Sequence, residues 1–398
     1  MKHPYRVAMV AACPFPYPRG TPIRIFKMAE SLAKSGVEVH VITYDMRENI
    51  NNKDDTYLFH THRIPRIKTY KKVSPGPSLQ KLFVLDFFLF TSLLKFLIRF
   101  NIDVIHAHHY EGLIVSLMAR RFVRIPIVYD AHTMLESEMP FYKMGLSKQM
   151  KASVGRLFDR SLPKYANHII AVTDDIKKKL IENNEIAQEK VSVILNGVES
   201  DHFSTNVIQR REAREKILIY TGNMAHFQGI DVLLQSFAML RKKREDVRLC
   251  IVTNASFAPY QALAHALGIS HHLEVIESTF AELPQYLRMA DIAVNPRLVC
   301  DGIPQKLLNY MAAGKPIVSF AGSAKVLTHK VTGYIVEGES IRDFAEGILQ
   351  LLDHPDLMQR IGINAQKLSR TAYGWEQVAE KVLDVYHTVL DHSMSRGI

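Results

Sequence analysis

Cysteine is scarce in this chain of 398 residues: Cys13, Cys250 and Cys300 lie far apart and form no C-x-x-C pair. That excludes a small disulfide scaffold and a structural zinc ribbon, and it suits a reducing compartment. P-loop and G-x-G-x-x-G spacings are missing, as are H-E-x-x-H and any D-x-D. No long Lys/Arg run occurs, so nucleic-acid binding would rest on net charge alone. The first apolar run, Tyr5 to Ala12, is too short for a secretory leader and reads as a buried strand. The longest apolar stretch, Leu82 to Phe100, is interrupted by Asp86, Lys95 and Arg99. Ionised groups near the centre of a span are costly, so a buried or interfacial helix is expected there.

What is present is ordinary globular composition, 47% hydrophobic and 23% charged, long enough for two or three domains. Fifty basic residues against forty acidic ones give a net charge of +10. Such a surplus favours anionic partners: phosphorylated small molecules or acidic lipid.

Short apolar runs alternate with helical patterns, the mark of βαβ units and parallel sheets. Strands are expected at Val37 to Thr43, Asp103 to His108, Pro126 to Asp130, His168 to Thr173 and Val191 to Leu195. Helices are expected at Ile23 to Lys34, Tyr110 to Phe122, Ser147 to Leu162 and Asp174 to Asn183. Asp45 to Thr56 reads as loop. After the Asn196-Gly197 turn, the polar stretch 199–214 reads as a linker. A second α/β series follows, with strands at ILIYTG, VRLCIVT, HHLEVI, ADIAVNP and KPIVSF. A long amphipathic helix carrying the lone tryptophan, Trp375, ends the chain. The expected division is 1–198, a linker 199–214, 215–370 and a final helix 371–398.

Four segments carry possible chemistry. In Asp301-Gly-Ile-Pro-Gln-Lys306, a loop with Gly302, Ile303 and Pro304 opens a helix whose first N–H groups attract anions. Lys306 adds a cation; the same residues also read as a plain capped helix. Tyr220 to Asp231 runs strand, glycine-bearing loop, helix, with Gly222 and Gly229 at the turns. Histidines cluster at His106, His108, His109 and His132; His106 and His108 share one face of a strand. Strand-end hydrogen bonding is the simpler reading, with a metal pair as the alternative. Arg19, Gly20, Thr21 and Arg24 flank the start of the first helix, either as an anion-holding turn or as a stiffened loop.

Taken in order, these segments resemble the retaining glycosyltransferases of family four, with the GT-B fold. The resemblance rests on DVIHAHH, the strand ending in His132, HIIAVTDDIKKKL, VSVILNGVESDHF, YTGNMAHFQGIDVLLQSF and GIPQKLLNYMAAGKPIVSF. It implies two Rossmann-like parallel-sheet domains facing a central cleft, with the last helix crossing back to the first domain. It also implies transfer of a sugar from a nucleotide-sugar to an acceptor hydroxyl, without a metal or a cofactor beyond the donor. The acceptor would be a lipid-linked compound or a saccharide, in polysaccharide, glycolipid or glycoconjugate synthesis. Catalytic roles would fall to His132 and Asp301. The donor would meet Gly222, Asn223, Gln228, Gly229, Gly302, Ile303, Pro304, Lys306 and Asn309; the acceptor side would hold Gly20, Thr21, Arg24, His108 and His109. A cytoplasmic location, with peripheral contact to anionic membrane, is expected; nucleic acid is not.

The chain departs from the family pattern at points that matter. Asn223 and Gln228 stand where the family commonly has the Arg and Lys that hold the donor diphosphate. Its two glutamates, eight residues apart, are replaced by Asp301 and Asn309, and the first loop reads Arg19-Gly20-Thr21 in place of Gly-Gly. Leaving-group stabilisation is a large catalytic term. Other groups must therefore supply it, or the chain is a weak or inactive nucleotide-sugar-binding module.

Overall fold

The computed structural model describes residues 5–16, 20–46, 56–70, 81–142, 145, 147–184, 186–203, 215–300 and 302–395. Expectations for Arg19, for Asp301 and for most of the 45–56 and 199–214 stretches therefore lie outside the described residues. The chain divides into two compact units, 1–196 with 375–398 and 197–374.

The first unit contains seven strands: β1 (Arg6–Ala11), β2 (Glu38–Thr43), β3 (His60–Arg63), β4 (Val104–His108), β5 (Ile127–Ala131), β6 (His168–Ala171) and β7 (Val191–Val193). They form one sheet in the order β3-β2-β1-β4-β5-β6-β7 with every pairing parallel. β4 and β5 are buried at every position, as expected where helices cover both faces. One apolar layer packs the helices Asp86–Arg99 and His109–Ala119 on one face. The other packs Gly20–Lys34 together with the last helix, Trp375–Ser395, through Val378, Val382 and Tyr386. The final helix thus belongs to the first unit, although 178 residues of the second intervene.

The second unit repeats the plan with β8 (Lys216–Thr221), β9 (Val247–Thr253), β10 (Leu273–Glu277), β11 (Ile292–Asn295), β12 (Ile317–Phe320) and β13 (Tyr334–Val336). The order is β10-β9-β8-β11-β12-β13, again parallel throughout. Its two ends lie side by side, with Val198 N–H donating to the Tyr373 carbonyl at 2.7 Å. Each sheet therefore has a switch point where the strand order reverses, between β1 and β4 and between β8 and β11. In open parallel sheets, ligands bind at the carboxyl ends of the strands at that point.

Within the 82–100 stretch the helix Asp86–Arg99 buries Leu89, Leu93, Phe96 and Leu97 and leaves Phe87 and Ile98 exposed. No helix of the described residues is long and apolar enough to cross a membrane.

Close backbone approach fixes the elements around the first switch point. After β5, the short helix Leu135–Glu138 lies against the helix Lys148–Ser161. Asp159 accepts from the main-chain N–H groups of Leu135 (3.0 Å) and Glu136 (2.9 Å), capping that short helix from outside. A Cβ at Gly155 would stand 2.6 Å from the Leu135 carbonyl and from Glu136 N. Both are main-chain atoms that cannot swing away. Gly155→Ala gains about 1 kcal/mol of helix propensity but forces an overpacking cost of about 1–3 kcal/mol. The expected result is a lower melting temperature together with faster amide exchange at Leu135 and Glu136. An unchanged or raised melting temperature would contradict the packing described.

Candidate functional site

In the first unit the strand ends bring Arg24, His106, His108, Asp130 and His132 together. β4 and β5 pair in parallel with His108 opposite Asp130, so alternation of side chains places these groups on one side. Asp130 is fully buried and carries a charge that must be matched. Arg24 matches it: Nε lies 3.0 Å from Oδ2 and Nη2 3.3 Å from Oδ1. The remaining N–H groups donate to the Leu195 carbonyl (3.0 Å), Asn196 Oδ1 (3.0 Å) and the Ile194 carbonyl (2.9 Å). All five donors of the guanidinium are engaged. This corrects the expectation that Arg24 awaits an anion at the helix start: it is a buried brace that ties the first helix to β5 and to the end of β7.

Burial would raise the Asp130 pKa, but the Arg24 charge overrides it and holds the carboxyl well below its usual range. Around it, His106 Nε2 lies 3.7 Å and His108 Nδ1 3.5 Å from Oδ2. The two rings stack at 4.3 Å. These three groups are near enough to share a metal ion, and Asp130 is the carboxylate that sequence spacing did not supply. Arg24 already neutralises that carboxylate, however, and a divalent cation there would face the guanidinium directly. His106 instead shares a hydrogen bond with the Tyr386 hydroxyl at 2.7 Å, a partner 280 residues away.

His132 follows, with Nε2 3.3 Å from His108 Nδ1 and Nδ1 3.4 Å from Thr21 Oγ1. Burial holds both His108, at about 4, and His132 below the ordinary imidazole range, so both rings are neutral at pH 7. Gly20 sits at φ +53 with open space beside it. The first loop thus delivers Gly20 and Thr21 to His132, while Arg24 faces inward.

His109 differs. Its backbone has φ +62, and its ring pairs with Glu111 (2.6 Å) and Glu138 (3.6 Å). Burial disfavours its charge, but Glu111 and Glu138 outweigh it and raise the pKa to about 9. Lys81 meets the same Glu111. An imidazolium therefore stands at the end of β4 beside the neutral His132 ring, 6.3 Å between centroids.

In the second unit, β8 ends in Gly222 (φ +139), and Gly229 (φ +72) opens the helix Ile230–Arg241. A Cβ on Gly229 would lie 2.3 Å from the Pro296 carbonyl, so only glycine lets this loop meet the end of β11. Asn223 is spent locally: its Oδ1 accepts from Ala225 N (3.1 Å), and its carbonyl accepts from the Tyr220 hydroxyl (2.9 Å). Gln228 is buried and its Oε1 accepts from Lys306 Nζ at 2.8 Å. Lys306 reaches there from the helix Gln305–Ala312 and also caps the Tyr220 ring at 4.0 Å. Arg297 lies over the Phe227 ring at 4.8 Å. Burial, reinforced by the Arg297 charge, pushes the Lys306 pKa down to about 7. Among the described residues no carboxylate pairs with this lysine.

Pro304 begins that helix and offers no side-chain acceptor to its first turn, so Gly302 and Ile303 lead into open N–H groups. Asn309 is buried one turn on. Asp301 lies outside the described residues. Sequence reasoning missed Tyr220, Asp130, Tyr386 and Glu111 as site groups. A carboxylate closing the apolar run PIVYD was the one signal available, for Asp130.

The family model for glycosyl transferases group 1 matches residues 204–368, and that for glycosyltransferase family 4 matches residues 18–202. The two adjoin at Phe203 and between them span both units. The chain belongs to the glycosyltransferases of family four. It is 24% identical over 390 residues to an uncharacterized glycosyltransferase of Methanocaldococcus jannaschii, covering 94% of this chain and 95% of that one. Among solved structures it resembles sucrose-phosphate synthase from Thermosynechococcus elongatus, with TM-score 0.79 and 17% identity over 98% of this chain and 100% of that one. It also resembles Anabaena HepE in complex with UDP and glucose, with TM-score 0.71 and 16% identity over 96% of this chain and 100% of that one. These neighbours share the GT-B fold of this glycosyltransferase.

Two outcomes follow for the first unit. Arg24→Ala strands a buried carboxylate and should cost about 3–5 kcal/mol, with Arg24→Lys a poor rescue; thermal melting of both variants measures it. Wild-type stability in either would refute the brace. His109, with its pKa raised in the fold, contributes stability that is full below its unfolded value near pH 6.5 and lost as pH rises through about 9. His109→Asn tolerates the positive φ but removes the charge. Its melting deficit should be greatest below pH 6.5 and fade by pH 9 to 10; a deficit independent of pH would contradict the pairing.

Proposed function

We propose that this glycosyltransferase is an active, retaining enzyme that moves a sugar from a nucleoside-diphosphate sugar, seated on the second unit, to an acceptor hydroxyl. One observation carries the reading. Lys306 is partly buried at the switch point of the second sheet with no carboxylate among the described residues to match it, and Arg297 beside it adds to the positive potential. Such a site is completed by an anion. The two cations that the family commonly places on the strand-end loop are absent at Asn223 and Gln228; Lys306 takes over from the neighbouring helix, with Gln228 holding its ammonium in place.

The mechanism is then as follows. The diphosphate lies against Lys306, Arg297 and the open N–H groups behind Gly302 and Ile303. The bond from the anomeric carbon to the leaving diphosphate oxygen breaks while these groups take up the growing negative charge. The acceptor oxygen bonds to the anomeric carbon on the same face. Its proton passes to the departing phosphate oxygen, so the configuration is retained and no separate base is needed. Neutral His132, held by Thr21 and His108, hydrogen-bonds the transferring sugar. Asn309 meets the ribose and Asp301 the sugar. Fixed cations do the work of a divalent metal, and the donor is the only cofactor-like group required. UDP and glucose bound in the HepE structure support a donor of this class.

Lipid-linked or saccharide acceptors fit a peripheral location. Phe83, Phe87 and Phe122 of the first unit are exposed, 56–74% each, and the helix that carries Phe87 also carries Lys95 and Arg99. The protein should co-sediment with vesicles containing anionic lipid, and Phe83→Ser with Phe87→Ser should weaken this; sedimentation indifferent to lipid charge would remove the membrane from the account.

The donor site is tested by calorimetry with UDP-, GDP-, ADP- and CMP-sugars, each beside its free nucleotide. One base should respond selectively, and Lys306→Met should weaken it about tenfold or more. At pH 8 the free lysine is mostly neutral, so binding should take up about one proton, whereas near pH 6 the uptake should vanish. Buffers of different ionisation enthalpy read this number directly. Binding with no sugar release to any acceptor or water would favour the inactive module; no binding at all would overturn the donor site.

A further inference from the structure

A cationic cavity lies in the first unit, and none of Arg24, His106, His108, Asp130 and His132 lines it. It measures about 390 Å³, within the range of small-ligand pockets. β7 forms its floor through Val191, Ser192 and Val193, and among the described residues β7 is the last strand of the sheet. The helix Asp174–Asn184 supplies Lys177, and the last helix supplies Lys381, Asp384 and Thr388. At the bottom His168 is buried, its Nε2 sharing a hydrogen bond with Ser192 Oγ at 2.9 Å.

The charges do not balance. Neither Lys177 nor Lys381 has an ion-pair partner among the described residues, and Asp384 is the one carboxylate on the wall. Burial pushes the His168 pKa down to about 4, and Lys190, His392 and Lys177 push it the same way. The ring thus senses cations from three elements: the turn before β7, the last helix and the helix bearing Lys177. A polar hollow with surplus positive charge, a hydroxyl and a hydrogen-bonding imidazole has the chemistry of a phosphate site.

We propose that this cavity binds the phosphate group of a small phosphorylated molecule, at a site separate from donor and acceptor. Lys177 and Lys381 close on the phosphate oxygens from two helices, and the Ser192–His168 pair lies beneath. The site bears on the reaction through the last helix. Val385 lines the cavity, and the next residue, Tyr386, holds His106 beside Asp130. Occupancy would clamp that helix and so stiffen the support of the His132 cluster.

The test uses the full chain with inorganic phosphate and glucose 6-phosphate as probes, against potassium chloride at equal ionic strength. Calorimetry should show one saturable site, weakened about tenfold or more in the double variant Lys177→Ala, Lys381→Ala and retained in Lys306→Met. The anion should also pull the His168 titration upward, read by imidazole NMR; His168→Gln keeps the neutral hydrogen-bonding ring position polar but removes that titration. Binding lost in Lys306→Met would place the anion in the donor site and overturn the proposal. So would equal binding by the double variant, or no response to either probe beyond that of chloride.

Discussion

A buried charge must find a counter-charge, and that constraint organises both halves of this protein. Each parallel sheet turns its switch-point strand ends toward buried or partly buried ionisable groups. In the first unit the fold supplies the answer itself. Asp130 is matched by Arg24, whose five donors also fasten the first helix to β5 and to the chain just after β7. His106, His108 and His132 then take their places around a carboxylate that is already neutralised, and burial keeps the latter two uncharged. In the second unit the fold supplies only half of the answer. Lys306 has a carbonyl oxygen from Gln228 and the face of Tyr220, but no described carboxylate. The first site is closed and rigid; the second is open to an anion.

On the proposed reading, the same contrast accounts for the departures at Asn223 and Gln228. A cation is defined by where its charge sits, not by the element that carries it. The side chain of Lys306 spans from its helix to the loop after β8, and Gly229 lets that loop approach β11 closely enough to be reached. Gln228, itself uncharged, holds the ammonium of that lysine. Asn223, with its side chain folded onto Ala225, rigidifies the turn without adding charge.

Much of the fold was legible because parallel strands buried on both faces must be apolar runs, and β1, β4, β5, β8 and β11 are. The strands that escaped notice were edge strands. β3 reads HTHR, with no apolar run, because an edge strand need bury little; β13 is three residues long. The last helix was legible as amphipathic. The site was legible in its residue types and only partly in its geometry. His132, Lys306 and the glycines were found from strand-end position, whereas the inward turn of Arg24 was hidden. Its partners at Asp130 and Asn196 are more than a hundred residues away, and a helix-start arginine carries no local sign of which way it faces. Tyr386 was hidden for the same reason.

The central claim is that the donor diphosphate completes the charge of Lys306. Its most direct measurement is the titration of the Lys306 ε-carbon by NMR of lysine-labelled protein, assigned with Lys306→Met, in the absence and presence of the nucleotide that binds. The account predicts a midpoint near pH 7 in the free protein and a rise of at least one unit on binding. A midpoint above pH 10 in the free protein, or one that ignores the nucleotide, would contradict it.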